Sequence, residues 1–237
     1  MTETLIQVKD LNSYYGASHI LRNVNFDVKR GETIGLMGRN GMGKSTLLKS
    51  IMGIVKPRSG EVHIKGKRMN DCAIFEVAQQ GIAYVPEGRG IFANLSVVEN
   101  LKMAARPGTQ GQNDWTYDRV LDTFPRLKER LGHGGQQLSG GEQQMLTLCR
   151  TLMGDPDLII IDEPTEGLAP KIVELVGQYL QNLKSRGISV LLIEQKLTIA
   201  MRISDRALVM GHGSIVFQGT PDELRDNTYI RKEWLEV

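Results

Sequence analysis

Cysteine is scarce in this chain, and its scarcity excludes two chemistries. Cys72 and Cys149 are the only two in 237 residues, and their separation fits no metal-ligand spacing. Neither a disulfide framework nor a thiolate metal site is expected, and a reduced, cytosolic setting follows. Long apolar runs are missing as well. No stretch approaches the roughly 20 residues of a membrane helix, so a role at a membrane must be reached through a partner. A charge excess is also absent: 29 basic against 27 acidic residues leave +2, too little to argue for nucleic acid or an anionic lipid surface. The opening "MTETLIQVKD" has no basic start followed by an apolar stretch, so no signal peptide is expected.

What is present describes an ordinary globular chain, 41% hydrophobic and 24% charged, long enough for one large domain or a core with a modest lobe. Strand signals fill the first third, in "LIQVKDL", "VNFDVKRGE", "TIGLMG" and "GEVHIKG". They return in "IAYVP", "LIIID" and "SVLLIEQ", the last two nearly all apolar, as in parallel strands covered on both faces. Between those two, "PKIVELVGQYLQNLKSRG" has helical spacing and stops at Gly187, giving a strand–helix–strand crossover. Residues from about 88 to 152 are different. "SVVENLKMAA", "YDRVLDTFPRLKERL" and "GGEQQMLTLCRTLM" read as helices, a helical lobe inserted into an α/β core. "ALVMGHGSIVFQG" reads as a hairpin.

Two stretches carry chemistry that needs its residue types. "GRNGMGKST", residues 38 to 46, follows a strand and precedes a helix and fits G-x-x-x-x-G-K-S. Gly38, Gly41 and Gly43 let the backbone turn its N–H groups toward phosphates. Lys44 supplies a cation for the β/γ oxygens and the Ser45 hydroxyl a magnesium ligand. Arg39, Asn40, Met42 and Thr46 complete the candidate loop. "LIIIDEP" ends a buried strand in two carboxylates, an expensive arrangement unless a cation waits at the tip. Asp162 would hold magnesium through water, and Glu163 would polarise an attacking water.

"LSGGEQQ", residues 138 to 144, supplies a second anion receptor, a serine and two glycines at a helix N-terminus. Ser139 and Glu142 also fit a capping box, S-x-x-E, and that alternative stands beside the first. Gly140 and Gly141 weaken a first helical turn, which favours close approach of a ligand.

Together these residues resemble the nucleotide-binding cassettes of ABC transporters, over essentially the whole chain. "GRNGMGKST" looks like the Walker A loop, "LSGGEQQ" the signature, "LIIIDEP" Walker B, and "TEGLAP" the D-loop. Tyr15, in "SYYG", matches the aromatic that stacks on adenine. The resemblance implies a P-loop NTPase fold, α/β, with an antiparallel β subdomain and an inserted helical subdomain. The core and β subdomain would take residues 1–87 and 153–237, the helical subdomain about 88–152. It implies ATP and Mg2+ as cofactors and ATP hydrolysis as the reaction. It also implies a head-to-tail dimer, with this chain or a related cassette as partner, in which Ser139, Gly140, Gly141 and Glu142 meet the partner's ATP. Integral membrane permease subunits would be the further partners, nucleic acid would not, and the chain would sit on the cytoplasmic face of the cell membrane.

Two positions depart from the common pattern. Glu87, in "YVPEGRGIF", stands where most cassettes have a glutamine that contacts magnesium; a carboxylate is a suitable hard ligand. Gln195, in "LLIEQK", replaces a histidine; it can donate to a γ-phosphate oxygen but cannot carry a proton. With "VPEGR", "FPRL" and "EPTEGLAP", these departures resemble the LivF-type subunit of branched-chain amino acid importers. Cassettes for urea, amides or aromatic acids, and non-transport ABC ATPases, are the alternatives.

Overall fold

The structure, a computed structural model, describes residues 2–236. Strands β1 (Thr4–Tyr15) and β2 (Ser18–Lys29) form a long hairpin, and β3 (Thr33–Met37) leads into helix α1 (Lys44–Ile51). Next come β4 (Ser59–Ile64), β5 (Lys67–Arg68), α2 (Ile74–Gln79) and β6 (Ile82–Val85). Helices α3 (Val97–Ala104), α4 (Tyr117–Thr123), α5 (Pro125–Lys128) and α6 (Gly140–Leu152) follow without an intervening strand. Strand β7 (Leu158–Asp162), helix α7 (Pro170–Ser185) and strand β8 (Ser189–Ile193) form the crossover. The chain closes with α8 (Leu197–Ile203), β9 (Arg206–Gly211), β10 (Ser214–Gly219), α9 (Pro221–Asp226) and α10 (Thr228–Trp234).

Two sheets result. One is antiparallel, in the order β2-β1-β4-β5; the other runs β10-β9-β3-β8-β7-β6. In the second sheet the pairs β3–β8, β3–β9, β7–β8 and β6–β7 are all parallel, and only β10 runs against its neighbour. Every residue of β3, β7 and β8 is buried, which accounts for their uniform apolarity: both faces are covered. The parallel strands therefore present their carboxyl ends along one edge, where open α/β sheets place their ligands. The phosphate loop follows β3, Glu87 follows β6, Asp162 closes β7 and Gln195 follows β8.

One expected helix is broken. "YDRVLDTFPRLKERL" divides into α4 and α5 at Phe124, whose φ of −126° and ψ of 69° are not helical. Pro125 lacks the N–H that a continuous helix would use and drives the residue before it out of the helical region. The loop from Glu87 toward α3 is anchored at its far end. Asn100, fully buried, accepts from the Phe92 N–H at 3.0 Å and reaches the carbonyls of Phe92, Leu95 and Ser96 at 3.0 to 3.1 Å.

Candidate functional site

Residues from four strand ends meet in one cleft of about 360 Å³. It is lined by Asn40, Gly41, Gly43, Lys44, Ser45 and Thr46 of the loop, and by Glu87, Glu163, Glu166 and Gln195, with Ile20 at its side. The loop curls as its glycines allow: Gly43, which caps α1, has φ 100°. Only a residue without Cβ takes that conformation at little cost. Lys44 is 5% exposed, and its ammonium donates to the carbonyls of Gly38 (2.8 Å) and Arg39 (3.0 Å). Burial pulls its pKa down, against the opposing pull of Glu163 and Asp162. The charge is thus held within the loop, at the place where phosphate oxygens would take it over.

The carboxylates are arranged around that cation. Asp162 is buried, and the Ser45 hydroxyl lies 3.4 Å from its Oδ1. Burial raises the Asp162 carboxyl to about 6; Ser45 opposes the rise, while Glu163 and Glu87 add to it. Tyr84 beside it is raised too, first by burial and then by the Asp162 charge. Glu166 is also raised, chiefly by Glu163. A donor set of hydroxyl and carboxylate oxygens suits a hard divalent cation. No cluster of three or more His, Cys, Asp or Glu side chains forms a metal cage among the described residues. Magnesium does not require one, because it keeps waters and takes phosphate oxygens.

Glu163 has φ 48°, an uncommon backbone conformation for a non-glycine residue, of the kind that clusters at active sites. Its N–H is tied to the Ile193 carbonyl at 3.0 Å, and its Oε2 accepts from the Gln195 amide at 2.6 Å. Behind this pair, Thr165 donates to buried Glu194 at 2.7 Å, and Glu194 in turn accepts from the Lys196 N–H at 2.9 Å. The end of β8 is therefore braced on the Walker B turn, and Gln195 aims the carboxylate of Glu163. We expect Gln195→Ala to lower kcat about tenfold to a hundredfold, the scale of one hydrogen bond to a charged group, with ATP affinity nearly unchanged. Gln195→His should stay active, since imidazole can donate to the same oxygen. Steady-state turnover at saturating ATP checks both, and an alanine variant as fast as wild type would remove Gln195 from the site.

Other expected residues stand apart from the cleft. Tyr15 lies at the end of β1, 48% exposed and outside the lining, while its neighbour Tyr14 stacks on His19 and under Arg58. Arg39 turns its guanidinium away to the carbonyls of Lys232 and Glu236. Met42 faces the β9–β10 turn, its sulfur taking the His212 N–H at 3.2 Å. Two lining residues were not anticipated. Glu166 was visible only as part of "TEGLAP", and Ile20 had no signal beyond an apolar strand position.

Ser139, Gly140, Gly141 and Glu142 open α6 in the helical region, not in the cleft. The capping box is formed: Ser139 Oγ accepts from Glu142 N–H, and Ser139 N–H donates to Glu142 Oε2 at 2.8 Å. Gly141 has a reason within the chain, and Gly140 a weaker one, because its neighbour is the far end of a flexible side chain. A Cβ on Gly140 would meet the Arg89 guanidinium at 2.9 Å, and one on Gly141 would meet Ile172 at 2.8 Å. Gly141 alone therefore does not argue for a ligand. What remains is an exposed Ser139 at the positive end of a 13-residue helix. Arg89, two residues after Glu87 and itself at φ 73°, donates to Gln143 Oε1 at 3.0 Å, and its carbonyl accepts from the Thr147 hydroxyl. The Glu87 segment and the signature helix are thereby joined.

Known proteins resemble this chain in sequence and fold. The family model described as ABC transporter matches residues 21–166. A high-affinity branched-chain amino acid transport ATP-binding protein, BraG, of Pseudomonas aeruginosa is 38% identical over 231 residues, 98% of this chain and 99% of that protein. A probable branched-chain amino acid transport ATP-binding protein, LivF, of Archaeoglobus fulgidus is 36% identical over 229 residues, 96% of this chain and 97% of that one. Among solved structures, an ATP-binding subunit of an ABC transporter superposes with TM-score 0.82 at 33% identity, covering 98% of this chain and 96% of its own. A dimeric cassette in a post-hydrolysis state with ADP and Pi gives TM-score 0.78 at 26% identity, over 92% of this chain and 99% of its own.

Proposed function

The chain belongs to the ABC transporter ATP-binding family, and from that premise we propose that it powers an importer of branched-chain amino acids. The observation that carries the ATPase part is the gathering of Lys44, Ser45, Glu163 and Gln195 in one cleft at the carboxyl edge of a parallel sheet. The two relatives named for branched-chain amino acid transport, alike over nearly full length, support the solute.

ATP enters with its phosphates on the loop 38–46, and Lys44 leaves the carbonyls of Gly38 and Arg39 for the β/γ oxygens. Ser45 and Asp162, with Glu87 near, would hold magnesium, which when bound offsets phosphate charge. Glu163, aimed by Gln195, polarises the water that attacks the γ-phosphorus and takes up its developing proton, while ADP leaves with the bridging oxygen. Positioning and charge stabilisation supply most of phosphoryl-transfer catalysis, so a glutamine at 195 is compatible with turnover. Ser139 and the first turn of α6 serve the ATP of a second cassette in a head-to-tail pair, of this chain or a related one. The link from Glu87 through Arg89 to α6 carries closure of that pair to permease subunits, which hold the chain at the cytoplasmic face of the membrane. No helix among the described residues is long and apolar enough to cross a membrane.

Leucine uptake by cells that depend on this chain tests the solute. Uptake should fall to background in a Lys44→Ala strain and persist for a solute of another importer. Undiminished leucine uptake, with loss of urea or amide uptake instead, would move the chain to an importer for that solute.

A further inference from the structure

The C-terminal helix grips the phosphate loop. Helix α10 ends at Trp234, and the last carbonyls of any helix lack intrahelical partners. Here one loop residue takes two of those carbonyls and a third that lies two residues past the helix. Arg39 N–H donates to the Trp234 carbonyl at 3.2 Å, and Arg39 Nη2 donates to those of Lys232, at 3.1 Å, and Glu236. A guanidinium at a helix C-terminus also complements the negative end of the helix dipole. The Gly38 carbonyl, in the same peptide unit as the Arg39 N–H, matters for ATP, because it accepts from Lys44 Nζ, as does the Arg39 carbonyl. One residue thus joins the end of α10 to the lysine that meets the phosphates.

A second contact supports the first. The Trp234 ring lies on Gly211, where a Cβ would come within 2.6 Å of it, and meets His212 edge-on at 5.1 Å between ring centroids. His212 N–H and Gly213 N–H donate to Met42, to its sulfur and its carbonyl, each at 3.2 Å. Met42 lies in the same loop. The helix end therefore reaches the phosphate loop on two sides, directly at Arg39 and through the β9–β10 turn at Met42. Neither contact touches the space in which ATP would lie.

We propose that α10, through Trp234, is a positioning element of the nucleotide site. By fixing the Arg39 peptide and the turn under Met42, it sets the conformation in which the loop receives ATP. Displacing it lowers nucleotide affinity while leaving the chemical step intact. This inference rests on the reading of loop 38–46 as the ATP phosphate receptor.

Titration calorimetry of the full chain with Mg-ATP and Mg-ADP, beside turnover at saturating ATP, tests it. Trp234→Ala should raise both dissociation constants about tenfold, with kcat falling far less, and Trp234→Phe should restore affinity by keeping a ring on Gly211. Arg39→Ala, which leaves the core untouched and removes both guanidinium bonds, should weaken binding similarly, and keeps the test open if Trp234→Ala fails to fold. Because both act through one contact, the double variant should be no weaker than the weaker single one. A Trp234→Ala chain that folds and binds ATP as wild type does, or losses that add in the double variant, would overturn the proposal. Wild-type chain without affinity for ATP would overturn the reading of the loop itself.

Discussion

Glu163→Gln is expected to bind ATP as tightly as wild type and to hydrolyse it at least about a hundredfold more slowly, within the range for loss of a general base. The amide keeps the volume of the carboxylate, and the backbone at φ 48° need not change. The charge that polarises water is gone, and the Gln195 amide loses its anionic partner, now 2.6 Å away. Lys44, Ser45 and the loop N–H groups are untouched, so affinity should hold. Single-turnover hydrolysis with radiolabelled ATP, beside calorimetric affinity, checks both halves. Turnover near the wild-type rate would take the catalytic role from Glu163 and leave the other lining carboxylates, Glu87 and Glu166, as the groups to examine.

Ser139→Arg should be nearly as damaging, by another route. Ser139 is exposed, and its hydroxyl caps α6. Losing that cap costs about 1 kcal/mol of helix stability, which a domain of this size absorbs. The larger effect lies between cassettes. A bulky cation would occupy the seat of the partner's γ-phosphate and hold the two chains apart. ATP affinity of the isolated chain should stay within about twofold, because the cleft is lined from other elements. Turnover should fall at least about a hundredfold, since each active site is then incomplete. If Ser139→Arg hydrolyses ATP at the wild-type rate, the serine is a helix cap and nothing more.

These two residues also show where a sequence reveals a site and where it hides one. The phosphate loop was legible because its parts are contiguous and each glycine has a backbone reason. Glu163 was legible because two carboxylates at the tip of an apolar strand need a cation. Ser139 was visible as a cap and as an anion receptor, and the chain alone shows only the cap formed. The glycines beside it read as room for a ligand; at Gly141 the close approach of Ile172 already requires the missing Cβ. Arg39 lay inside a phosphate motif, yet its side chain answers to carbonyls almost two hundred residues away, which no local pattern encodes. Gln195 reads as a γ-phosphate contact, which stands as a proposal; its bond to Glu163 comes from the parallel register of β7 and β8. Phe124 was hidden for the opposite reason. The helical period ran through it, and only the proline after it, given its full weight, marks the break.

ATP is expected to join two cassettes, one giving the phosphate loop and the other the exposed end of α6. Sedimentation of the Glu163→Gln chain, with any second cassette that copurifies with it, measures this directly in ATP with magnesium and in ADP with magnesium. The expected result is the mass of two cassettes in ATP and of one in ADP. Chelating magnesium or adding Ser139→Arg should return the ATP sample to the mass of one. A single-cassette mass in ATP as well as in ADP, with ATP bound, would contradict the joining of two cassettes by ATP.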